Sequence, residues 1–354
     1  MPDLGDPVIS LVKIDARKAW NGGPIPSKLG PMLPASNRRH FLGALLGGAA
    51  GLALPTTTLA RRFDFARFEP GEVGDAAAIT ATPLTDNLIE FTGAGDNLVV
   101  VTGPDGLAMV NGGLRERSSE LLKKIADHTG GKRVQTLFNT EWHPEQTGSN
   151  ETLAKAGTRI IAHEYTKQYI GAEIYVDWQK RTYKPLPAAA LPNQTFYTPG
   201  KMTWGAERIE YGHLGQAHTD GAIYVHFPVS NVLMTGHALE VGRYPIGDYT
   251  AGGWLGGLIA ANKTLLALAN ADTRIVPGVG PVQTRADLQA QLDMMTEMLA
   301  RFTKLMKQGL GPDDWRAAAP TKEFDAKWGN PDLFVSTAYR GMWLHVRELG
   351  AGIV

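Results

Sequence analysis

Residues 139–150 read Asn-Thr-Glu-Trp-His-Pro-Glu-Gln-Thr-Gly-Ser-Asn. Before them runs the apolar segment VQTLF, and after them come the helix-like NETLAKAG and the short apolar TRIIAHE. Strand, polar loop, helix, strand is the rhythm of an α/β fold. Within the loop, Glu141 and His143 are separated by one residue, and Glu145 and Gln146 follow at once. Two ligand-capable side chains beside a carboxylate and an amide, on a loop leaving a strand, can place several donors within about 2.0–2.2 Å of one metal ion. There are no cysteines in the chain, so imidazoles, carboxylates and amides are the available metal ligands.

Outward from this loop, the pattern on the N-terminal side is strand, turn, strand: LIEFTG, a GAGD turn, NLVVVTG, a PDG turn and LAMVNGG. SSELLKKIADH, residues 118–128, carries apolar residues at helical spacing behind a Ser cap. Residues 165–200 mix prolines and aromatics without a period, which predicts an insertion or lid outside the core framework. Strand signals resume at AERIEYGHLG, AIYVHF, NVLMTG and TRIVPGVG, with helices predicted over LIAANKTLLALAN, residues 285–307 and FVSTAYRGMWLHVREL. Three of these strands end in polar or glycine-rich loops: Gln216-Ala217-His218-Thr219-Asp220-Gly221, Thr235-Gly236-His237 and Pro277-Gly278-Val279-Gly280.

In order and spacing, these loops resemble those of the metallo-β-lactamase superfamily. There a His-x-His-x-Asp-His loop, an A-H-T-x-G turn, a T-G-D strand end and a P-G-H-G loop build the metal centre. The resemblance runs from LIEFTGAGD to PGVG, nearly the whole chain after residue 60. It implies a four-layer αββα sandwich, one domain over residues 61–354, with the site at the sheet ends between two halves. Carried over position by position, His143 and His218 keep the family's residue. Glu141 replaces the first His of the loop, Glu145 the Asp and Gln146 the last His. His237 stands for the bridging Asp, Val279 for the final His, and Asn111 where an aspartate is common. The second metal's set has thereby lost its His pair and gained a residue that cannot coordinate.

What remains reads as a mononuclear site for one divalent metal, zinc ahead of iron, with Glu141, His143, His218 and His237 as candidate ligands. A bound water made acidic enough to supply hydroxide, with Glu145 as general base and Gln146 as a donor to substrate or water, suits hydrolysis of an ester, thioester, lactone or amide. Two other readings stay open: a non-catalytic binding or assembly subunit with a protein partner, and a mononuclear iron oxygenase. His163 and His226 lie in strands and read as structural. His213 reads as near the site, and Trp142, Trp204, Tyr244 and Trp254 as pocket lining or simple packing.

Composition narrows the partners. Thirty-five basic residues balance thirty-five acidic ones, so no overall field recruits nucleic acid, and a small-molecule substrate is expected. Asn37-Arg38-Arg39-His40 leads into FLGALLGGAAGLAL, followed by Thr58-Leu59-Ala60. This resembles a twin-arginine export signal cleaved after Ala60, and it implies a periplasmic or otherwise exported protein. The apolar run 41–54 is shorter than the roughly 20 residues a membrane span needs, so no span is expected in the mature chain.

Overall fold

The structure, a computed structural model, describes residues 78–349; the predicted export signal lies outside them. Apolar runs closed by turn formers become strands on both sides of the 139–150 loop. β2 (Leu88–Thr92), β3 (Leu98–Thr102) and β4 (Leu107–Val110) form the expected meander, and β1 (Thr80–Pro83), which the sequence reading did not include, pairs antiparallel with β2 at its edge. β5 (Val134–Phe138) and β6 (Arg159–His163) then extend the sheet in parallel. Helix α1 (Ser118–Thr129) makes the first crossover; a 3-10 turn over Arg115–Arg117 precedes it, so Ser118 lies within the helical run instead of capping it.

The stretch 165–200, entered through helix α4 (Glu164–Ile170), departs from the expectation of an insertion or lid outside the core framework. Its hairpin, β7 (Ile174–Val176) with β8 (Arg181–Tyr183), does stand apart as a two-stranded unit, but β9 (Gln194–Phe196) joins the main sheet in parallel with β6. Three residues are too few to show an alternation, and a parallel neighbour leaves no hairpin turn in the sequence to announce it.

β10 (Gly200–Trp204), β11 (Glu207–His213), β12 (Ile223–Phe227), β13 (Val232–Gly236) and β14 (Arg274–Pro277) make the second sheet, the last pair parallel. The two sheets pack face to face. Val99, Val101, Val110 and Phe138 of the first meet Ile209, Val225, Met234 and Val276 of the second in one buried cluster. The alternate residues of β3, Leu98 and Val100, face outward onto Leu121 and Ile125 of α1. On the far side, Leu233 and Ile275 pack against α5 (Leu255–Leu268), α6 (Arg285–Lys307) and the helix Asp332–Leu344. Buried on both faces, the central strands read as near-continuous apolar runs. The result is the expected αββα sandwich. Among the described residues, no helix is long and apolar enough to cross a membrane.

Candidate metal centre

β5 ends at Phe138, and the chain turns through Asn139 to His143 before α2 (Pro144–Thr147) and α3 (Asn150–Lys155) begin. Asn111, at φ 67 just beyond β4, shapes this turn: its Oδ1 accepts from the Thr140 amide at 3.0 Å and the Thr140 hydroxyl at 2.8 Å. Asparagine tolerates that left-handed backbone better than most residues. The other half supplies the facing loops. The Ile223 amide donates to the Thr140 carbonyl at 2.9 Å, and Asp248 laces the loop after His237 onto His218 through an amide-to-carbonyl bond of 2.7 Å.

Glu141 sits at the centre, only 1% exposed. Its Oε1 lies 3.2 Å from His143 Nδ1, 3.7 Å from His237 Nε2 and 3.8 Å from His218 Nε2. Glu141, His143 and His218 thus offer one ligand atom each within 4.8 Å of one another. Neither Glu141 oxygen and neither His143 ring nitrogen has an aligned hydrogen bond, although all are buried. Buried polar atoms are rarely left so, and a converging set of them is what a cation would satisfy. His218 is prepared for the role: its Nδ1 lies 2.6 Å from the Ile246 carbonyl oxygen, which keeps the proton there and leaves the Nε2 lone pair for the centre. His143 turns Nδ1 to Glu141, while its Nε2 lies 3.6 Å from Asp248 Oδ2. Asp248 is itself fixed, its Oδ1 accepting from Trp178 Nε1 at 2.9 Å and from both the amide and the hydroxyl of Thr250.

The charges of these side chains answer one another. Burial works against the charge of Glu141, yet the rings of His218, His143 and His237 draw its pKa down to about 2. Burial likewise opposes a charged His143, but Glu141 and Asp248 lift it to about 10. His218 goes the other way, pushed below its ordinary value by burial.

His237 and Gln146 are placed differently from expectation. His237 is clasped at both nitrogens, Nε2 lying 2.8 Å from Asp96 Oδ2 and Nδ1 2.6 Å from Glu240 Oε1. Its ring stands beside that of His218, yet both lone-pair positions face carboxylates. Gln146 is fully buried and donates its amide to Asp96, so it serves the protein and not an incoming substrate. Glu145 is half-buried at the start of α2, and burial followed by the charge of Asp96 raises its pKa above the ordinary range. Val279 lies in a loop stitched down by Asn97, whose side chain donates to the carbonyls of Pro277 and Gly280 at 3.1 and 2.7 Å.

His163 and His213 stack on each other at 3.8 Å between ring centroids, and His213 Nε2 meets the Asp220 carbonyl, so His213 does not enter the cluster. Of the four aromatics, only Trp142 touches a ring of the centre, stacking on His143 at 4.2 Å. Tyr244 stacks on Phe334 and Trp254 on His345. Sequence reasoning missed Asp96 and Asp248. The first is hidden in a GAGD turn, and the second follows His143 by more than a hundred residues in a segment without a motif.

A family model for the Metallo-beta-lactamase superfamily matches residues 92–292, more than half of the chain. The chain belongs to the metallo-beta-lactamase superfamily. Among solved structures, a metallo-beta-lactamase from Pontibacter korlensis is similar at a TM-score of 0.52 and 19% identity, over 62% of this chain and 99% of that one. The DIM-1 metallo-beta-lactamase is similar at 0.50 and 17%, over 62% and 98%. At these identities the likeness is one of fold. Within this superfamily member, Glu141, His143 and His218 form a buried cluster whose ligand atoms could hold a metal ion.

Proposed function

We propose that this superfamily member is an exported metal-dependent hydrolase that cleaves an ester, thioester, lactone or amide bond in a small molecule. The observation that carries the reading is the convergence of three buried ligand-capable atoms, Glu141 Oε1 lying 3.2 Å from His143 Nδ1 and 3.8 Å from the Nε2 of His218, whose Nδ1 is held by the Ile246 carbonyl. A bound divalent cation, zinc ahead of iron, would supply Lewis acidity and an acidified water. Glu141, His143 through Nδ1 and His218 through Nε2 would hold it. Asp248 and the Ile246 carbonyl keep the two rings turned inward. Glu145, with its raised proton affinity, suits a general base. A single ion is favoured because His237 is engaged by Asp96 and Glu240, Gln146 by Asp96, and Val279 has no ligand atom.

The test is the metal content of the full chain purified without chelator, for wild type and His218→Ala. About one equivalent of zinc or iron, lost in the variant, is the expected outcome. Metal-free wild type that hydrolyses nothing would remove the hydrolase. It would leave a non-catalytic binding subunit, a reading favoured by the ion pair that Glu141 and His143 can make without any metal. Oxygen consumption by an iron-loaded protein with a thiol-derived substrate would identify the oxygenase, since two imidazoles and one carboxylate also suit non-haem iron. Export rests on the Arg38-Arg39 segment and the apolar run after it. Cell fractionation should find the protein outside the cytoplasm, and Arg38→Lys with Arg39→Lys should retain it inside.

A further inference from the structure

The 3-10 turn Asp177–Gln179 joins β7 to β8 and carries Trp178. Trp178 is buried in one apolar cluster with Val176 of the same hairpin, Trp142 of the His143 loop and Ala251. A tryptophan so placed needs an acceptor for its one polar atom, and its Nε1 donates to Asp248 Oδ1 at 2.9 Å. The other donors to that oxygen, the amide and hydroxyl of Thr250, are two residues away along the chain. Among the described residues, Trp178 is thus the donor that reaches Asp248 Oδ1 from a distant segment.

What it reaches matters, because residues 246–248 hold both imidazoles of the centre. The Ile246 carbonyl oxygen lies 2.6 Å from His218 Nδ1, the Asp248 amide donates to the His218 carbonyl at 2.7 Å, and Asp248 Oδ2 lies 3.6 Å from His143 Nε2. The same hairpin reaches His143 from a second side: Tyr183 of β8 stands edge-on to Trp142 at 5.2 Å, and Trp142 stacks on the His143 ring. The hairpin is itself tied down, Tyr249 donating its hydroxyl to Asp177 Oδ2 at 2.8 Å. We propose that Trp178 is a positioning residue for His143 and His218. Its indole N–H pins Asp248, and with it the segment that sets both rings. The inference rests on the reading of the two histidines as metal ligands for its effect on metal, and on the bond to Asp248 for its effect on the rings.

The test compares wild type, Trp178→Phe, Asp248→Asn and the double variant, each as the full chain at one pH. Trp178→Phe keeps an aromatic ring and removes the donor. Zinc affinity, measured by competition with a chromogenic chelator, should fall about three- to tenfold in Trp178→Phe, and the double variant should bind no more weakly than Asp248→Asn alone. A tryptophan that merely fills space would give losses that multiply. In the metal-free chain, the carbon-bound ring protons of His143 report the ring's place over the Trp142 indole by their ring-current shift. Trp178→Phe and Asp248→Asn should move them in the same direction, while Tyr175→Ala, at an exposed hairpin position, should leave them in place. If Trp178→Phe does not fold, the Trp178 indole 15N–H resonance decides: it should move upfield in Asp248→Asn, where the acceptor has lost its charge. An unmoved indole resonance, multiplied losses, or unchanged zinc affinity with unmoved His143 protons would overturn the proposal. Wild type that binds no zinc removes the hydrolase, and the His143 protons then decide the role of Trp178. Wild type that binds one equivalent while Trp178→Phe behaves identically removes only that role.

Discussion

At Asp248 a single carboxylate joins two ligand-bearing loops. Its amide binds the His218 carbonyl, and its Oδ2 faces the outer nitrogen of His143. Asp248→Asn keeps the shape and removes the charge that orients His143. Metal affinity is expected to fall about 10- to 100-fold with the fold intact, which competition with a chromogenic chelator would measure. An unchanged affinity would mean that Glu141 alone sets the ring. Residues of this kind explain how much of the centre could be read beforehand. Glu141 and His143 stand one residue apart on a loop where spacing puts donors together, His218 follows from the resemblance of its A-H-T turn to the family's, and the three do converge. Asp96 and Asp248 enter through tertiary packing, which one-dimensional spacing does not encode. The clasp that Asp96 and Glu240 close on His237 was illegible for the same reason.

The helix α5 positions the site by how closely it approaches it. Gly257 lies against the Gln216 carbonyl so tightly that a Cβ would overlap the oxygen. Gly257→Ala must therefore push α5 away from the loop that holds His218, at a cost of about 1–3 kcal/mol. A lower unfolding temperature together with weaker metal retention is the expected pair of results. Lower stability with full retention would separate the loop from the helix. Long elements were legible in sequence because their periods repeat: α6 begins and ends at the predicted residues, with the Thr284–Asp287 capping box closing its start. The three-residue β9 was not, since its place in the sheet comes from its neighbour β6 and not from its own pattern.

Across the whole molecule, acid stability should follow the His163 and His213 stack, which packs among Tyr165, Phe196 and Tyr197 beside Glu164. Burial, then the neighbouring His213, lowers the His163 pKa from 6.5 to about 4. The unfolded chain therefore takes up a proton below pH 6.5 that the folded protein refuses until about 4. Stability from this group is fully present above 6.5 and declines as pH falls through that window. Urea midpoints measured from pH 7 to pH 4 should fall accordingly, and His163→Gln should flatten the decline; a parallel decline in the variant would assign it to other groups.

The centre draws Glu141 and His143 from the first half of the sandwich and His218 and Asp248 from the second. Its donors meet only once the two sheets have docked, after most of the chain-closure entropy has been spent. An ion held there would act as a late latch. It would leave the rate of assembly nearly untouched and lengthen the lifetime of the assembled protein, because its bonds must break before the halves can part.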